Sequence, residues 1–538
     1  MPEDVELDPP PVLDVEAYLE RFAWHPEPEL IGFRDQAASR PAVERLGDAT
    51  WRTALDYMYG LASQRAMGPQ GTYDEVRRAF FAGGDGPAAA PGDPTTAARV
   101  LDEFRDRLAA TQLSAQHPRD FGYFTPPPLL MSIAAELLAQ VTNQGIDIWH
   151  AGPTGAFVEE EVIRWLADLV GYGSDSFGLL TSGGVMANFM AMAIARDIHL
   201  PTLCDLDRPP RGAELEGVRV YASDQAHFSI GRALDELGFP PETLAIVPAD
   251  DVFRLRGAAV TDAIAQDRAA GLTPLAIAAV AGTTNTGSVD PIGELADVAA
   301  RENVWLHVDA AYGGAARLSA RDAKRVADLD RADSVTVDPH KWFFQAYDIG
   351  GLIVRDGSVL ERTFGGHRPE YYRGGEGRAA ERSTPSNAHD DHDDPGQLNF
   401  YKLGFEGTRR WRALKLWMSW KHLGTSGFGQ LVETTIDLAA HLARRCAEAA
   451  DFEALPAEPE LSVVCFRHLN GATGHELDAH QDRLQRALER SGDGWLTTTR
   501  LRGATWLRAG IVNYLATEDD IDRLLDDLRR FAAAGDTR

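Results

Sequence analysis

Between about residues 130 and 355, short apolar runs rich in β-branched residues alternate with stretches whose apolar positions recur at helical spacing. The runs are FGLLTS, VRVYAS, TLAIVPA, LAIAAVAGTT, VWLHVDA, DSVTVD and GGLIVR. Strands that alternate with helices predict parallel crossover units, with helices on both faces of one sheet. In such sheets ligands bind at the carboxyl ends of the strands.

The pattern changes on either side. Residues 1–11 read as a loose acidic tail, VEAYLERFAWH as helical, and the Gly/Pro/Ala-rich stretch 82–98 as a loop or linker. A second irregular stretch, 364–397, is polar and Gly-rich; a loop this long inside a compact domain is functional or disordered. TRRWRALKLWMSWKHLG then reads as a long amphipathic helix. Beyond it, LSVVCFRH and WLRAGIVNYL read as strands among helices, and Thr517 with Asp520 forms a capping box before the last helix. Three regions are expected: an N-terminal helical segment (1–130), a large α/β domain (131–430) and a small C-terminal α+β domain (431–538).

Composition agrees with several coupled domains, since 538 residues exceed one ordinary core. No apolar run approaches the ~20 residues that span a bilayer. The acidic, proline-rich start resembles neither a signal nor a transit peptide. Cys204, Cys446 and Cys465 lack CxxC spacing and suit a reducing cytoplasm. A formal net charge of −28 argues against nucleic acid and anionic membranes as partners.

Candidate chemistry gathers at the strand ends. LLTSGGVMANFMAM is strand, Gly183-Gly184, helix; backbone N–H groups at a helix start can hold an anion, although a plain turn uses the same residues. His227 follows a strand in YASDQAHFS, where a structural histidine fits as well. Thr283 and Thr284 end another strand. Asp309 closes the apolar run VWLHVD, and a buried carboxylate needs a partner. Lys341 follows Asp338-Pro339-His340 and precedes Trp342, Phe343 and Phe344; lysine is rarely buried unless paired or used. Taken together these ask for a cofactor with a phosphate, a basic ring nitrogen and an aldehyde, which describes pyridoxal 5′-phosphate.

The motifs HPRDFGYF, TSGGVMAN, SDQAHFS, GTTNTGSVDPI, HVDAAYGG, DSVTVDPHKW and RRWRALKLW resemble the fold-type I pyridoxal-phosphate decarboxylases of the aromatic-L-amino-acid, glutamate and diaminobutyrate group. The resemblance covers about residues 115–430 and continues more weakly to the end. It implies the PLP-dependent transferase (aspartate aminotransferase-like) fold, α-decarboxylation of an L-amino acid, and a homodimer with an interfacial active site.

By that resemblance Lys341 carries the cofactor, Asp309 pairs with its ring nitrogen, and His227 stacks on the ring. Gly183, Gly184, Ser334 and His340 fall where the family holds the phosphate, and Thr284 and Ala311 lie near the ring. Tyr371, or its neighbour Tyr372, matches a tyrosine on a mobile loop that protonates the substrate carbon; relatives with phenylalanine there tend toward aldehyde formation. Segment 364–397 would be that loop. Tyr123, Phe124, Asp147 and Phe157 fall near the family's substrate pocket. Val185 replaces a phosphate-binding hydroxyl, and Ala156 and Phe157 replace a hydroxyl and a carboxylate. An aromatic substrate leads; a small or polar one such as diaminobutyrate stays open, as does an aldehyde synthase or aminotransferase. Arg508 could approach a substrate carboxylate or make an ion pair. HDDHDD (389–394) reads as a solvated charge run, and no metal is expected.

Overall fold

The computed structural model describes residues 14–60, 73–81, 86–87, 89–109, 113–366 and 398–534. Two compact units emerge. The first, within residues 1–117 and 487–495, is helical, with Val15–Glu20, Gln36–Tyr59 and Ala97–Glu103 each started by a side-chain cap. Asp14, Asp35 and Thr96 accept the backbone N–H groups of Ala17, Ala38 and Arg99, which satisfies donors that a helix start leaves free.

The second unit, 118–486 with 496–534, holds one sheet built from all seven apolar runs. The strands are β1 (Phe177–Thr181), β2 (Val218–Ser223), β3 (Leu244–Val247), β4 (Thr273–Val280), β5 (Trp305–Asp309), β6 (Ser334–Val337) and β7 (Gly350–Val354). Their order is β1-β7-β6-β5-β4-β2-β3. Neighbours from β3 to β6 run parallel, whereas β7 runs antiparallel to both β6 and β1. The crossover pattern fails at β7 for a physical reason. Only the turn 338–349 joins it to β6, and no helix lies in that turn to carry the chain back.

Successive residues of a strand enter opposite cores. Leu180, Ile277 and Ile353 join one apolar cluster; Leu179, Ala276, Ala278 and Leu352 join the other. This is the period-two signature of a sheet covered on both faces. The covering helices that matter for the site are α1 (Leu130–Thr142), α2 (Pro153–Val170), α3 (Gly184–Ile194), α4 (Ser229–Glu236) and α5 (Ala413–Glu448). Helix α5 begins later than the sequence pattern suggests, is interrupted at Gly424, and runs through the expected 430/431 boundary.

A buried ion pair fastens α2 to the edge of this sheet. Glu159 accepts the Leu180 N–H and pairs with Arg409, whose guanidinium also donates to the carbonyls of Ile146 and Leu180. Near the C-terminus a smaller antiparallel sheet has the order β10-β11-β9-β8, from β8 (Phe452–Ala454), β9 (Val463–His468), β10 (Thr497–Leu501) and β11 (Ala504–Gly510). The capping box is present: Thr517 N–H donates to Asp520, and Asp520 N–H donates back to the Thr517 hydroxyl.

Candidate active site

The turn 338–349 carries Lys341, and its aromatic run anchors it. Trp342, Phe343 and Phe344 are all buried. The Trp342 indole N–H donates to Thr435 Oγ1 at 2.8 Å, and its ring stacks on Tyr312. Phe343 packs on Trp420 and Phe428, and Phe344 meets Tyr514 edge-on. Burial of each such ring contributes about 1.5–3 kcal/mol. The three rings hold the turn into the core while Lys341 faces a cavity of about 340 Å³.

The strand ends assemble that cavity. After β1 come Ser182, Gly183 and Gly184; after β2, His227 and Phe228; after β4, Gly282 and Thr284. Strand β5 ends in Asp309 with Ala311 beyond it, and β6 leads to Asp338, His340 and Lys341. Two glycines are required by space. A Cβ at Gly184 would lie 2.8 Å from Asp338 Oδ2, and one at Gly282, where φ is +98°, would lie 2.8 Å from the Tyr312 ring.

Asp309 is buried and oriented from two sides. Its Oδ2 accepts from Asn188 Nδ2 at 2.8 Å, and its Oδ1 accepts the Ala311 N–H at 3.1 Å. Lys341 Nζ lies 3.1 Å from Asp338 Oδ2. Burial pushes the Lys341 ammonium pKa down, but Asp338 and Asp309 outweigh it and the net direction is up. His227 Nδ1 lies 2.7 Å from Ser229 Oγ. Burial lowers the His227 pKa, partly opposed by Asp309. The His340 pKa is lowered by burial too, and its Nδ1–H donates to the Ile349 carbonyl at 2.6 Å.

An amine, a buried carboxylate, an imidazole and the backbone N–H groups at the start of α3 thus surround one cavity at the carboxyl ends of the strands. The pyridoxal-dependent decarboxylase conserved domain matches residues 84–469. The chain belongs to this family. It is a PLP-dependent amino-acid decarboxylase. An aromatic-L-amino-acid decarboxylase of Bacillus atrophaeus is 32% identical over 438 residues, 81% of this chain and 85% of the relative. An L-2,4-diaminobutyrate decarboxylase of Rhizobium meliloti is 31% identical over 410 residues, 76% of this chain and 77% of the relative. The solved glutamate decarboxylase domain of a diaminobutyrate-pyruvate transaminase and L-2,4-diaminobutyrate decarboxylase from Vibrio parahaemolyticus superposes with a TM-score of 0.75. It is 26% identical, with 91% of this chain and 95% of that one covered.

The decarboxylase's own residues fit pyridoxal phosphate. Lys341 would supply the amine for its aldehyde and Asp309 the anion for its ring nitrogen, and the space left by Gly183 and Gly184 would suit its phosphate. Val185 lines the cavity with an apolar side chain, so Ser182 and the backbone remain the donors there.

Of the residues expected from sequence, Lys341, Asp309, His227, Gly183, Gly184, Thr284, Ala311 and His340 converge on this cavity. Ser334 does not, and that expectation is corrected. It stands at the start of β6, a strand's length from Lys341, where its hydroxyl accepts from Trp305 Nε1 and meets His307 Nδ1. Within the single chain, the four substrate-side residues do not line the cavity either. Phe124 stacks on Tyr312 with ring centroids 4.1 Å apart and so backs the wall. Tyr123 and Phe157 are exposed, and Asp147 lies outside the cavity lining, its carbonyl accepting from Tyr401 N–H. Among the described residues Arg508 makes no ion pair; it donates to the carbonyls of Thr284 and Gly122 and covers the Phe124 ring. Tyr371, Tyr372 and HDDHDD lie outside the described residues, as does all of 364–397 but its first three positions.

Sequence reasoning missed Asn188, Asp338 and Phe228. Asn188 left a signal: an amide in the otherwise apolar helix GVMANFMAMAI, where a buried polar group demands partners.

Proposed function

We propose that the enzyme removes the α-carboxyl group of an aromatic L-amino acid as carbon dioxide and releases the amine. When bound, the cofactor supplies the electron sink that accepts the bonding pair from the departing carboxyl group. Asp309 would pair with the ring nitrogen, His227 would cover the ring face, and Lys341 would be the amine that holds the cofactor. By resemblance Tyr371 returns a proton to the substrate carbon.

The aromatic preference rests on one observation. Among the described residues that line the cavity, both carboxylates are engaged: Asp338 with Lys341, and Asp309 with Asn188 and the Ala311 N–H. Neither is free to receive the second ammonium of diaminobutyrate, whereas Phe228, 57% exposed, offers an apolar wall beside His227. The Bacillus relative's aromatic substrate class agrees with this choice.

The exposed apolar face of α1 supports a homodimer: Leu137 is 66% and Val141 74% exposed. The free cysteines Cys204, Cys446 and Cys465 support a cytoplasmic site of action. A panel of L-amino acids assayed for carbon dioxide, amine, aldehyde and peroxide tests the reading. Aromatic amines with equal carbon dioxide are expected. Turnover of diaminobutyrate alone would overturn the substrate, and aldehyde with peroxide would overturn the reaction type.

A further inference from the structure

A single hydrogen-bonded chain runs beneath the site and has a fixed direction. It begins at the Trp305 indole, which can only donate, and Trp305 Nε1 lies 3.0 Å from Ser334 Oγ. The Ser334 hydroxyl lies 2.9 Å from His307 Nδ1. That hydroxyl can accept twice, so the direction is set from the other end: the Asp309 carboxylate only accepts, which turns Asn188 Nδ2 toward it and Asn188 Oδ1 toward His307, and leaves His307 Nδ1 to accept from Ser334. The His307 proton therefore sits on Nε2, 3.0 Å from Asn188 Oδ1. Thr336 Oγ1 donates to the same oxygen at 2.7 Å. Two donors on Oδ1 fix the amide orientation, so Asn188 Nδ2 faces Asp309 Oδ2 and Ser229 Oγ, each at 2.8 Å. Ser229 Oγ accepts from the amide and turns its own proton to His227 Nδ1 at 2.7 Å, because a backbone donor already makes that nitrogen an acceptor. The Ser229 backbone N–H points at the same nitrogen at 3.3 Å.

We infer that this chain, through Asn188 and Ser229, locks His227 in the tautomer with its proton on Nε2, so that His227 offers the cavity a hydrogen-bond donor and never a base. Asn188 is a positioning residue: one side-chain amide orients both the carboxylate at the ring nitrogen and the imidazole over the ring face. An Nε2–H suits an anionic substrate carboxylate and cannot take a proton from the substrate carbon, which keeps competing proton abstraction out of reach. Every member from Ser334 to Ser229 is buried, so water has no route to reverse the order.

The tautomer belongs to the fold; only its catalytic meaning rests on the decarboxylase reading. The test is nitrogen NMR of holoenzyme labelled with 15N-histidine, with His227→Gln to assign the signal. An unprotonated Nδ1 and a protonated Nε2 are expected. Asn188→Asp replaces the donor by an acceptor, so the Ser229 hydroxyl must turn toward residue 188 and accept from His227 instead. That variant is expected to shift His227 toward the Nδ1–H tautomer and to lower kcat more than it raises KM. In a Ser229→Ala background Asn188→Asp should leave the tautomer unmoved. An Nδ1–H or doubly protonated His227 in the unmodified enzyme, or no shift in Asn188→Asp, overturns the inference. A correct tautomer without carbon dioxide release would instead count against the substrate reading alone.

Discussion

The carboxylate of Asp338 lies 3.1 Å from the amine of Lys341, within one turn and with only 2% of the Asp338 side chain exposed. Such a pair holds the lysine as an ammonium, and an ammonium cannot attack an aldehyde. Replacing Asp338 with Asn removes the largest of the influences that raise the lysine pKa. Cofactor capture, followed as the visible band near ~420 nm of lysine-bound cofactor, is expected to proceed at lower pH in Asp338→Asn than in the parent. An unchanged pH profile of capture would show that Asp338 does not control the lysine's charge.

Asp309 is the anion expected to keep the ring nitrogen protonated. Asp309→Asn keeps shape and loses charge. At saturating cofactor, kcat for carbon dioxide release should fall by roughly 10²–10³, the cost of removing a preorganised electrostatic partner. A loss of less than about tenfold would mean that another group carries that charge.

The Glu159–Arg409 pair is almost wholly inaccessible, with side chains 0% and 1% exposed. Glu159→Gln leaves a guanidinium without its counter-ion in the core and should cost about 3–5 kcal/mol of stability. Replacing both partners with apolar residues of similar volume should cost less than either single change. Urea unfolding of the three variants checks the order.

His307 predicts an acid limit. Burial holds its pKa down at about 4, with Asp309 as the opposing influence, against about 6.5 in an unfolded chain. The folded state therefore prefers the neutral ring. Its stability contribution is complete above about pH 6.5 and is lost as pH falls from there toward 4. Thermal melts across that window should show a steeper acid decline in the parent than in His307→Gln. Parallel declines would remove His307 as the cause.

The exposed face of α1 predicts a subunit contact. Leu137→Asp with Val141→Asp should lower the mass in light scattering from that of a pair of chains to that of one. Unchanged mass would place any self-association elsewhere.

Apart from the edge strand β3, where Ile246 is exposed, the strands of the large sheet were legible because both of their faces are covered, and such strands appear as unbroken apolar runs. Polar, half-exposed strands such as β10 left no run to read. The cavity residues that follow strands were legible for the same reason: a strand's end announces where chemistry can sit. Ser334 was misplaced because the resemblance grouped it with the phosphate-binding residues, whereas it stands at the far end of β6 from the cavity. A strand rises about 3.3 Å per residue, so residues at its two ends face different surroundings.

The sequence by itself determined the strands of the large sheet, the lysine turn and eight of the residues that line the cavity, because these depend on local pattern and on side-chain chemistry. Only the tertiary structure decided the direction of β7, the burial of Ser334 and the meeting of Asn188 with Asp309, His307 and Ser229. The last are contacts between α3, β5 and the start of α4, elements far apart along the chain. A hydrogen bond across such separations is set by how the layers pack, and no periodicity along the chain encodes it.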